Sequence, residues 1–225
     1  MANPIALIVG AGSGLSGSLA RLLHQEGFRV ALAARNVDKL KAFPEALLLA
    51  CDASDGAQVE KAFAGVQAKW GLPDLVVYNA SYRVRGPLVE LDAREVERTL
   101  QVSAFAGFLV GQAAAKRMLP RGSGAIFFTG ASASVKGYVN SAPFAMGKFA
   151  LRGLAQSMAR ELAPRGIHVA HFVIDGAIRA EGRSVPGEDA MLDPDAIARS
   201  YLDVYRQHRS AWSWELELRP WVERF

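Results

Sequence analysis

Short apolar runs alternate with longer segments of helical periodicity along the whole chain of 225 residues. A helix that follows a strand brings the chain back to the end of the sheet at which that strand began. The next strand can then run in the same direction, so repeated strand-helix units favour a parallel sheet. The alternation therefore predicts an α/β fold rather than a β-sandwich. Seven strands are predicted, at 5–9, 29–33, 46–50, 75–78, 125–129, 168–174 and 213–218. The helices between them are predicted at about 14–26, 38–43, 55–70, 92–119, 143–162 and 194–208.

The composition fits one domain that spans residues 1–225. A hydrophobic fraction of 51% over this length suffices for one sizeable core. The net charge of +4 is modest, and no block of Lys and Arg typical of nucleic-acid or membrane binding occurs. The N-terminus leads at once into the first strand without the features of a signal peptide, and no apolar stretch is long enough to span a membrane. We therefore expect a cytoplasmic protein that binds neither nucleic acid nor membrane.

A glycine-rich run stands between the first strand and the first helix. Glycine lets the backbone turn tightly and approach a pyrophosphate, whose charge the N-terminus of a helix stabilises. Two registers are open: Gly12, Gly14 and Gly17 satisfy the pattern G-x-G-x-x-G, whereas Gly10 directly leaves the strand. The run thus predicts a dinucleotide site, and a tight turn without a ligand is the alternative.

The end of the second strand predicts which nicotinamide cofactor is used. Sites for NAD usually carry an acidic residue there, which accepts hydrogen bonds from the ribose 2′-hydroxyl. This chain has Arg35 instead, and a guanidinium attracts the 2′-phosphate of NADP. We therefore expect NADP(H) to be preferred over NAD(H). The alternative is that Arg35 is only a solvated surface residue.

The order of these features resembles the short-chain dehydrogenase/reductase family, and the resemblance covers nearly the whole chain. The glycine run is similar to the family's T-G-x-x-x-G-x-G loop, with Val9 in place of Thr and Ser16 in place of the last Gly. Asp52 matches the family's acidic residue near the adenine, and the run 78–81 resembles its N-N-A-G motif. The resemblance implies an NAD(P)-dependent oxidoreductase with a Rossmann-type, doubly wound, mostly parallel sheet of about seven strands and helices on both faces. The cofactor-binding residues that it implies are Gly10, Gly12, Ser13, Gly14, Leu15, Arg35, Asp52, Asn79, Lys148, Gly176 and Ile178.

The catalytic residues depart from the family pattern. The family pairs Tyr-x-x-x-Lys with an earlier Ser and with an Asn in the preceding long helix. Here Phe144 stands four residues before Lys148, and Ser103 stands at the Asn position. Strict spacing puts the Ser position at Ala131, and we assign it to Ser132, one residue later. Because the family's Lys also donates to the nicotinamide ribose, the resemblance implies that Lys148 binds the cofactor.

Phe144 removes the usual source of a proton. Residues four apart share one face of a helix, so a Tyr at this position would have the Lys148 ammonium beside its phenol. The ammonium would lower the pKa of that phenol and make it a usable acid or base, whereas phenylalanine has no proton to transfer. Tyr82, Tyr138, Ser132 and water are the candidate replacements. We prefer Tyr82, because loops that follow strands line the ligand crevice of this fold.

Three functions remain open from the sequence. The first is an NADP(H)-dependent oxidoreductase that acts on a small carbonyl or alcohol with a non-standard proton donor. The second is a catalytically inactive NADP-binding sensor or partner subunit, and the third is a double-bond reductase similar to enoyl reductases. The histidines show no metal-ligand spacing, and no arginine pair for an acidic substrate is evident. The sequence predicts a small-molecule substrate but does not indicate its chemical class.

Two further segments suggest how the chain binds its substrate and its partners. Residues 179–189 are polar and rich in Gly and Arg, which is typical either of a substrate lid or of a plain surface loop. The small-residue helix at 104–115 and an aromatic tail with Trp221 and Phe225 would suit a subunit contact. We expect a homodimer or a homotetramer.

Overall fold

The computed structural model describes residues 3–180, 182–183, 187 and 189–222. The strands are β1 (Ile5–Val9), β2 (Arg29–Ala34), β3 (Leu47–Ala50), β4 (Leu75–Tyr78), β5 (Gly124–Thr129), β6 (Ile167–Ile174), β7 (Ala177–Ile178), β8 (Met191–Leu192) and β9 (Glu215–Leu218). The α-helices are α1 (Leu15–Gln25), α2 (Gly56–Trp70), α3 (Ala93–Leu100), α4 (Ala106–Met118), α5 (Ala142–Leu162) and α6 (Pro194–Tyr205).

Seven of the strands form one parallel sheet in the order β3-β2-β1-β4-β5-β6-β9. Two apolar clusters cover its faces, one built with α2, α4 and α5 and the other with α1 and α6. The predicted Rossmann-type sheet of about seven strands is therefore confirmed. The chain progresses outward in one direction from β1 and in the opposite direction from β4, so the crevice between the carboxyl ends of these two strands is where such folds bind ligands.

The structure differs from the prediction in three places. The helix predicted at 92–119 is divided by a π-helical turn, Gln101–Phe105, where a Cβ on Gly147 would come within 2.8 Å of the Ser103 Cβ. The helix predicted at 38–43 is a single 3-10 turn, Asp38–Leu40. The residue before a proline disfavours helical backbone, so Pro44 limits this segment. The strands β7 and β8, which pair with each other, were not predicted.

The described part of the chain contains no helix that is both long enough and apolar enough to cross a membrane.

Candidate cofactor and substrate site

The glycine run begins at the crevice between β1 and β4, and Gly10 makes its tight turn. Gly10 has φ of +83°, and its N–H donates to the Ala33 carbonyl at 2.9 Å. A Cβ at this position would lie 2.3 Å from the backbone nitrogen of Ala80, directly after β4. Only glycine combines a positive φ with such close contact between backbones. Gly10 is therefore the turn glycine, as in the register of the family motif.

The rest of the loop is open on the side where a pyrophosphate would approach. A Cβ on Gly12 or on Gly14 would meet no atom within 4 Å, and Ser13 is exposed. Leu15 is the first residue of α1, whose first turn carries no acidic residue and no side-chain cap. The free N–H groups of a helix N-terminus favour an anion. Gly17 differs from the other glycines, because it packs against the Phe43 ring and the Gly12 carbonyl.

Asn79 joins the end of β4 to this loop. Its backbone N–H donates to the Val9 carbonyl at 2.8 Å, and its side-chain amide donates to the Ser16 hydroxyl at 2.7 Å. The Ser16 hydroxyl in turn lies 3.4 Å from the Gly10 carbonyl. These hydrogen bonds fix the position of the glycine loop relative to the sheet. Asn79 therefore acts on the cofactor loop through its position beside the sheet.

A cavity of about 340 Å³ continues from Gly10 to the ends of β2 and β3. Arg35, Lys39 and Asp52 line it together with Asn79. The Ser54 hydroxyl donates to the Asp52 carboxylate at 2.6 Å, and this bond, helped by the charge of Arg35, lowers the pKa of Asp52. Two cations therefore face this end of the cavity. Lys39 was missed in the sequence because it lies within a segment that was predicted to be an ordinary helix.

Lys148 is buried behind Phe144. Its side chain is 3% exposed, and its ammonium donates to the Thr129 carbonyl at 2.7 Å and lies 5.8 Å from the centre of the Phe144 ring. No described acidic residue forms an ion pair with it, and burial lowers the pKa of Lys148 to about 8. A buried ammonium without a carboxylate is unfavourable in the free protein, and an anionic ligand nearby would offset that cost. Lys148 does not line the cavity next to Gly10, nor a second cavity that Ser132 and Tyr138 line.

This burial predicts how Lys148→Met should behave. The folded pKa of about 8 lies below the ordinary value of 10.5, so the buried charge costs about 3 kcal/mol at pH 7. Removing the charge offsets the loss of the hydrogen bond to Thr129, and we expect the free energy of unfolding at pH 7 to change by no more than about 1 kcal/mol. NADPH affinity should nevertheless fall by about tenfold or more.

The pH dependence of NADPH affinity and of stability provides a control for Lys148→Met. Affinity of the unmodified protein for NADPH should decline as the pH rises through about 8, because the ammonium loses its proton there. The contribution of Lys148 to stability has the opposite trend, because between pH 8 and 10.5 the unfolded chain binds a proton that the folded chain has lost. Lys148→Met should show neither trend. Equal NADPH affinity for both proteins from pH 6.5 to 9.5 would exclude a role for Lys148 at the cofactor.

Ser103 and Tyr82 face each other near the π-helical turn. The Ser103 hydroxyl is fully buried and lies 3.3 Å from the Tyr82 N–H and 3.4 Å from the Tyr82 carbonyl. The Tyr82 hydroxyl donates to Glu95 on α3 at 2.6 Å, a contact that raises the pKa of Tyr82, and the Arg98 guanidinium lies over its ring at 4.5 Å. The structure therefore directs Tyr82 toward α3 and does not bring its hydroxyl together with Ser132.

Ser132 lines a second, larger cavity of about 770 Å³. Tyr138 from the loop before α5, and Gly176 from the loop after β6, line it too. Gly176 has φ of +153°, and a Cβ there would meet the Pro220 ring at 2.8 Å. Ile178 pairs with Leu192 in the small sheet and does not line this cavity.

Tyr138 has a lysine beside it. The Lys136 ammonium lies 5.8 Å from the centre of the Tyr138 ring, and its pKa is raised first by a hydrogen bond with Tyr138 and then by Asp175. Asp175 is 3% exposed, and its carboxylate lies 3.3 Å from the Lys136 ammonium. The cavity thus contains a tyrosine with an adjacent ammonium, although the two residues do not follow the Tyr-x-x-x-Lys spacing.

The same cavity is lined by a group of arginines that was not evident in the sequence. Arg83, Arg85 and Arg183 all line it. The first two stand in the loop after β4 and the third stands about a hundred residues later, so no local spacing reveals the group. Among the described residues, no cluster of three or more His, Cys, Asp or Glu side chains would hold a metal ion.

Comparisons with known proteins assign the family. The short chain dehydrogenase family matches residues 4–183. An uncharacterized oxidoreductase of Staphylococcus aureus is 27% identical over 229 residues, which cover 98% of each chain. Among solved structures, a short-chain dehydrogenase from Rhodopseudomonas palustris is 34% identical with a TM-score of 0.82, covering 97% of this chain and 99% of that one. An alcohol dehydrogenase from the archaeon Thermococcus sibiricus, complexed with 5-hydroxy-NADP, is 25% identical with a TM-score of 0.87, covering 98% of both chains.

The chain belongs to the short-chain dehydrogenase family, whose members are oxidoreductases that use NAD(P). The prediction of an oxidoreductase of this type is therefore confirmed.

Proposed function

We propose that this protein is an NADP(H)-dependent oxidoreductase that interconverts a small carbonyl compound and its alcohol. The observation that carries the proposal is the cavity next to Gly10, which joins an open glycine loop to two cations at its far end. The 2′-phosphate distinguishes NADP from NAD, and Arg35 and Lys39 supply positive charge where the ribose is expected. The 5-hydroxy-NADP bound to the Thermococcus sibiricus enzyme supports the same cofactor class.

The chain's own residues divide the work between the two cavities. The loop from Gly10 to Leu15 would hold the pyrophosphate, and Arg35 and Asp52 would hold the adenosine end. The buried Lys148, which lines neither cavity, would act on the nicotinamide ribose through its positive charge. When bound, the cofactor supplies or accepts the hydride. In the larger cavity the Ser132 hydroxyl would donate a hydrogen bond to the reacting oxygen and orient it. Gly176 lets the chain turn beside Pro220 at the edge of that cavity.

We assign the proton transfer to Tyr138 rather than to Tyr82. The Lys136 ammonium lies 5.8 Å from the centre of the Tyr138 ring. Tyr138 lines the cavity that Ser132 lines, whereas the Tyr82 hydroxyl is bound to Glu95. During reduction of a carbonyl, Tyr138 would donate its proton to the oxygen, and solvent at this partly exposed residue would restore it.

A protein that binds the cofactor without turnover is the second candidate. Phe144 and Ser103 favour it, because both replace residues of the family's catalytic set while the fold around them stays well packed. A double-bond reductase similar to enoyl reductases is the third candidate, and no described contact favours it over the other two.

A single folded domain and a homo-oligomer complete the proposal. Phe105 and Phe108 stack with ring centres 6.1 Å apart and are 47% and 40% exposed, and Met146 and Phe149 on α5 are exposed too. Exposed aromatic clusters of this kind mark contact surfaces, and a second copy of the chain is the expected occupant. Trp221 is 82% exposed, and Phe225 lies outside the described residues.

Arg35→Ala tests the cofactor assignment. Loss of the guanidinium should weaken NADPH binding by about tenfold or more, because a charge-assisted contact to phosphate is lost, and should leave NADH affinity within about twofold. Titration by nucleotide fluorescence measures both affinities. Arg160→Ala is the matched control, since Arg160 lies on the exposed side of α5 and its side chain donates to the Gln156 carbonyl of the same helix. Equal loss of NADPH and NADH affinity in Arg35→Ala would contradict the assignment.

A further inference from the structure

The larger cavity holds an excess of positive charge. Arg83, Arg85 and Arg183 line it, and the ion pairs among the described residues include none of the three. Asp175 is the one described carboxylate in the lining, and it already lies 3.3 Å from both Lys136 and Arg219. Partial burial lowers the pKa of Arg83, and the charges of Arg85 and Arg183 lower it further.

Phe144 holds the first of these arginines in place. The Arg83 guanidinium lies over the Phe144 ring, 4.7 Å from its centre, and Phe144 is 9% exposed and packed on α5. A cation over an aromatic face is attracted by the ring and is restricted in orientation. The residue that removes the usual phenol therefore supplies a platform for a guanidinium at the same place.

We propose that Arg83, Arg85 and Arg183 form a subsite that binds an anionic group, a carboxylate or a phosphate, on the substrate. The inference rests on the proposed function, because the subsite faces the cavity that Ser132 and Tyr138 line. Planar guanidinium groups match the two oxygens of a carboxylate or phosphate with paired hydrogen bonds. The favoured substrate class is a small oxo acid, an oxo phosphate or the corresponding hydroxy compound, rather than an uncharged alcohol. A bound anion would also relieve the repulsion among the three arginines.

The test measures anion binding by calorimetry at constant ionic strength, with the protein both free and saturated with NADPH. The probes are succinate, its uncharged dimethyl ester and inorganic phosphate, so that the succinate and phosphate arms distinguish a carboxylate site from a phosphate site. Arg83→Met and Arg85→Met keep the apolar stems and remove single charges, and Arg160→Met is the control. Arg83, Arg85 and Arg160 are all exposed residues, so these three variants should fold.

We expect succinate or phosphate to bind and the dimethyl ester not to bind. Arg83→Met and Arg85→Met should each weaken that binding by about tenfold, with Arg160→Met unchanged. The subsite would be overturned if succinate and its ester bound equally, or if neither anion bound. It would also be overturned if neither Arg83→Met nor Arg85→Met weakened the binding. If NADPH fails to bind while arginine-dependent anion binding persists, the proposed function fails and the subsite stands. If NADPH binds and the anions do not, only the subsite fails.

Discussion

Gly10→Ala should lower the free energy of unfolding by about 3 kcal/mol or more. The added Cβ would lie 2.3 Å from the Ala80 nitrogen, and the backbone at position 10 has φ of +83°, which an L side chain adopts only at a cost. The contact is between two backbones, so no flexible side chain can move aside. Relaxation at Ala80 would also shift Asn79, whose amide bonds Ser16. Urea unfolding measures the change, and a variant as stable as the unmodified protein would contradict the turn at Gly10.

Gly14→Ala separates binding from folding in the same loop. A Cβ there meets nothing within 4 Å, so the loss of stability should be at most about 1 kcal/mol. Affinity for NADPH should fall by about tenfold or more, because the methyl group would occupy the space through which the pyrophosphate approaches the helix. Gly153→Ala on the exposed face of α5 is the control, with a gain of about 0.5–1 kcal/mol and unchanged affinity. Unchanged NADPH affinity in Gly14→Ala would place the nucleotide elsewhere.

Tyr138→Phe should reduce kcat by about a hundredfold or more, because general acid-base help is worth roughly 10² to 10⁴ in rate. NADPH affinity should stay the same, since Tyr138 lines the larger cavity and not the one next to Gly10. NADPH oxidation, followed with the best substrate from a set of small carbonyl compounds, measures kcat. Tyr82→Phe is the matched control and should keep its turnover, because its hydroxyl is held by Glu95.

Phe144→Tyr distinguishes the two leading functions. If the unmodified protein turns over and Tyr138→Phe does not, a proton source outside position 144 is supported. If the unmodified protein is inactive and Phe144→Tyr gains activity beside Lys148, the cofactor-binding function without turnover is the correct one. Tyr82→Phe losing turnover while Tyr138→Phe retains it would reverse the assignment of the proton donor.

The sheet could be predicted from the sequence because its signals are local. The strands β1 and β4 have the predicted bounds, since each is a short apolar run that ends at turn residues. The π-helical turn could not be predicted, because it depends on packing of Gly147 against Ser103 from another helix. The small sheet of β7 and β8 joins two-residue segments that carry too little periodicity to reveal a strand.

The site was predictable where a motif fixes the backbone and not where side chains converge from distant loops. The roles of Gly10 and Asn79 depend on backbone at the ends of two adjacent strands, which the order of the motifs indicates. The direction of the Tyr82 side chain depends on Glu95 in another element, which its position after β4 does not reveal. Tertiary structure likewise decides that Arg83 and Arg183 line the same cavity and that the Lys136 ammonium lies beside the Tyr138 ring.

A parallel fluorescence titration of the unmodified protein with NADPH and NADH tests the proposed cofactor site most directly. We expect saturable binding of NADPH at an affinity at least about tenfold higher than that of NADH, because only NADPH carries the phosphate that Arg35 and Lys39 attract. Failure of both nucleotides to bind at about millimolar concentration, where the binding free energy would be weaker than roughly 4 kcal/mol, would contradict a working cofactor site and with it the proposed oxidoreductase.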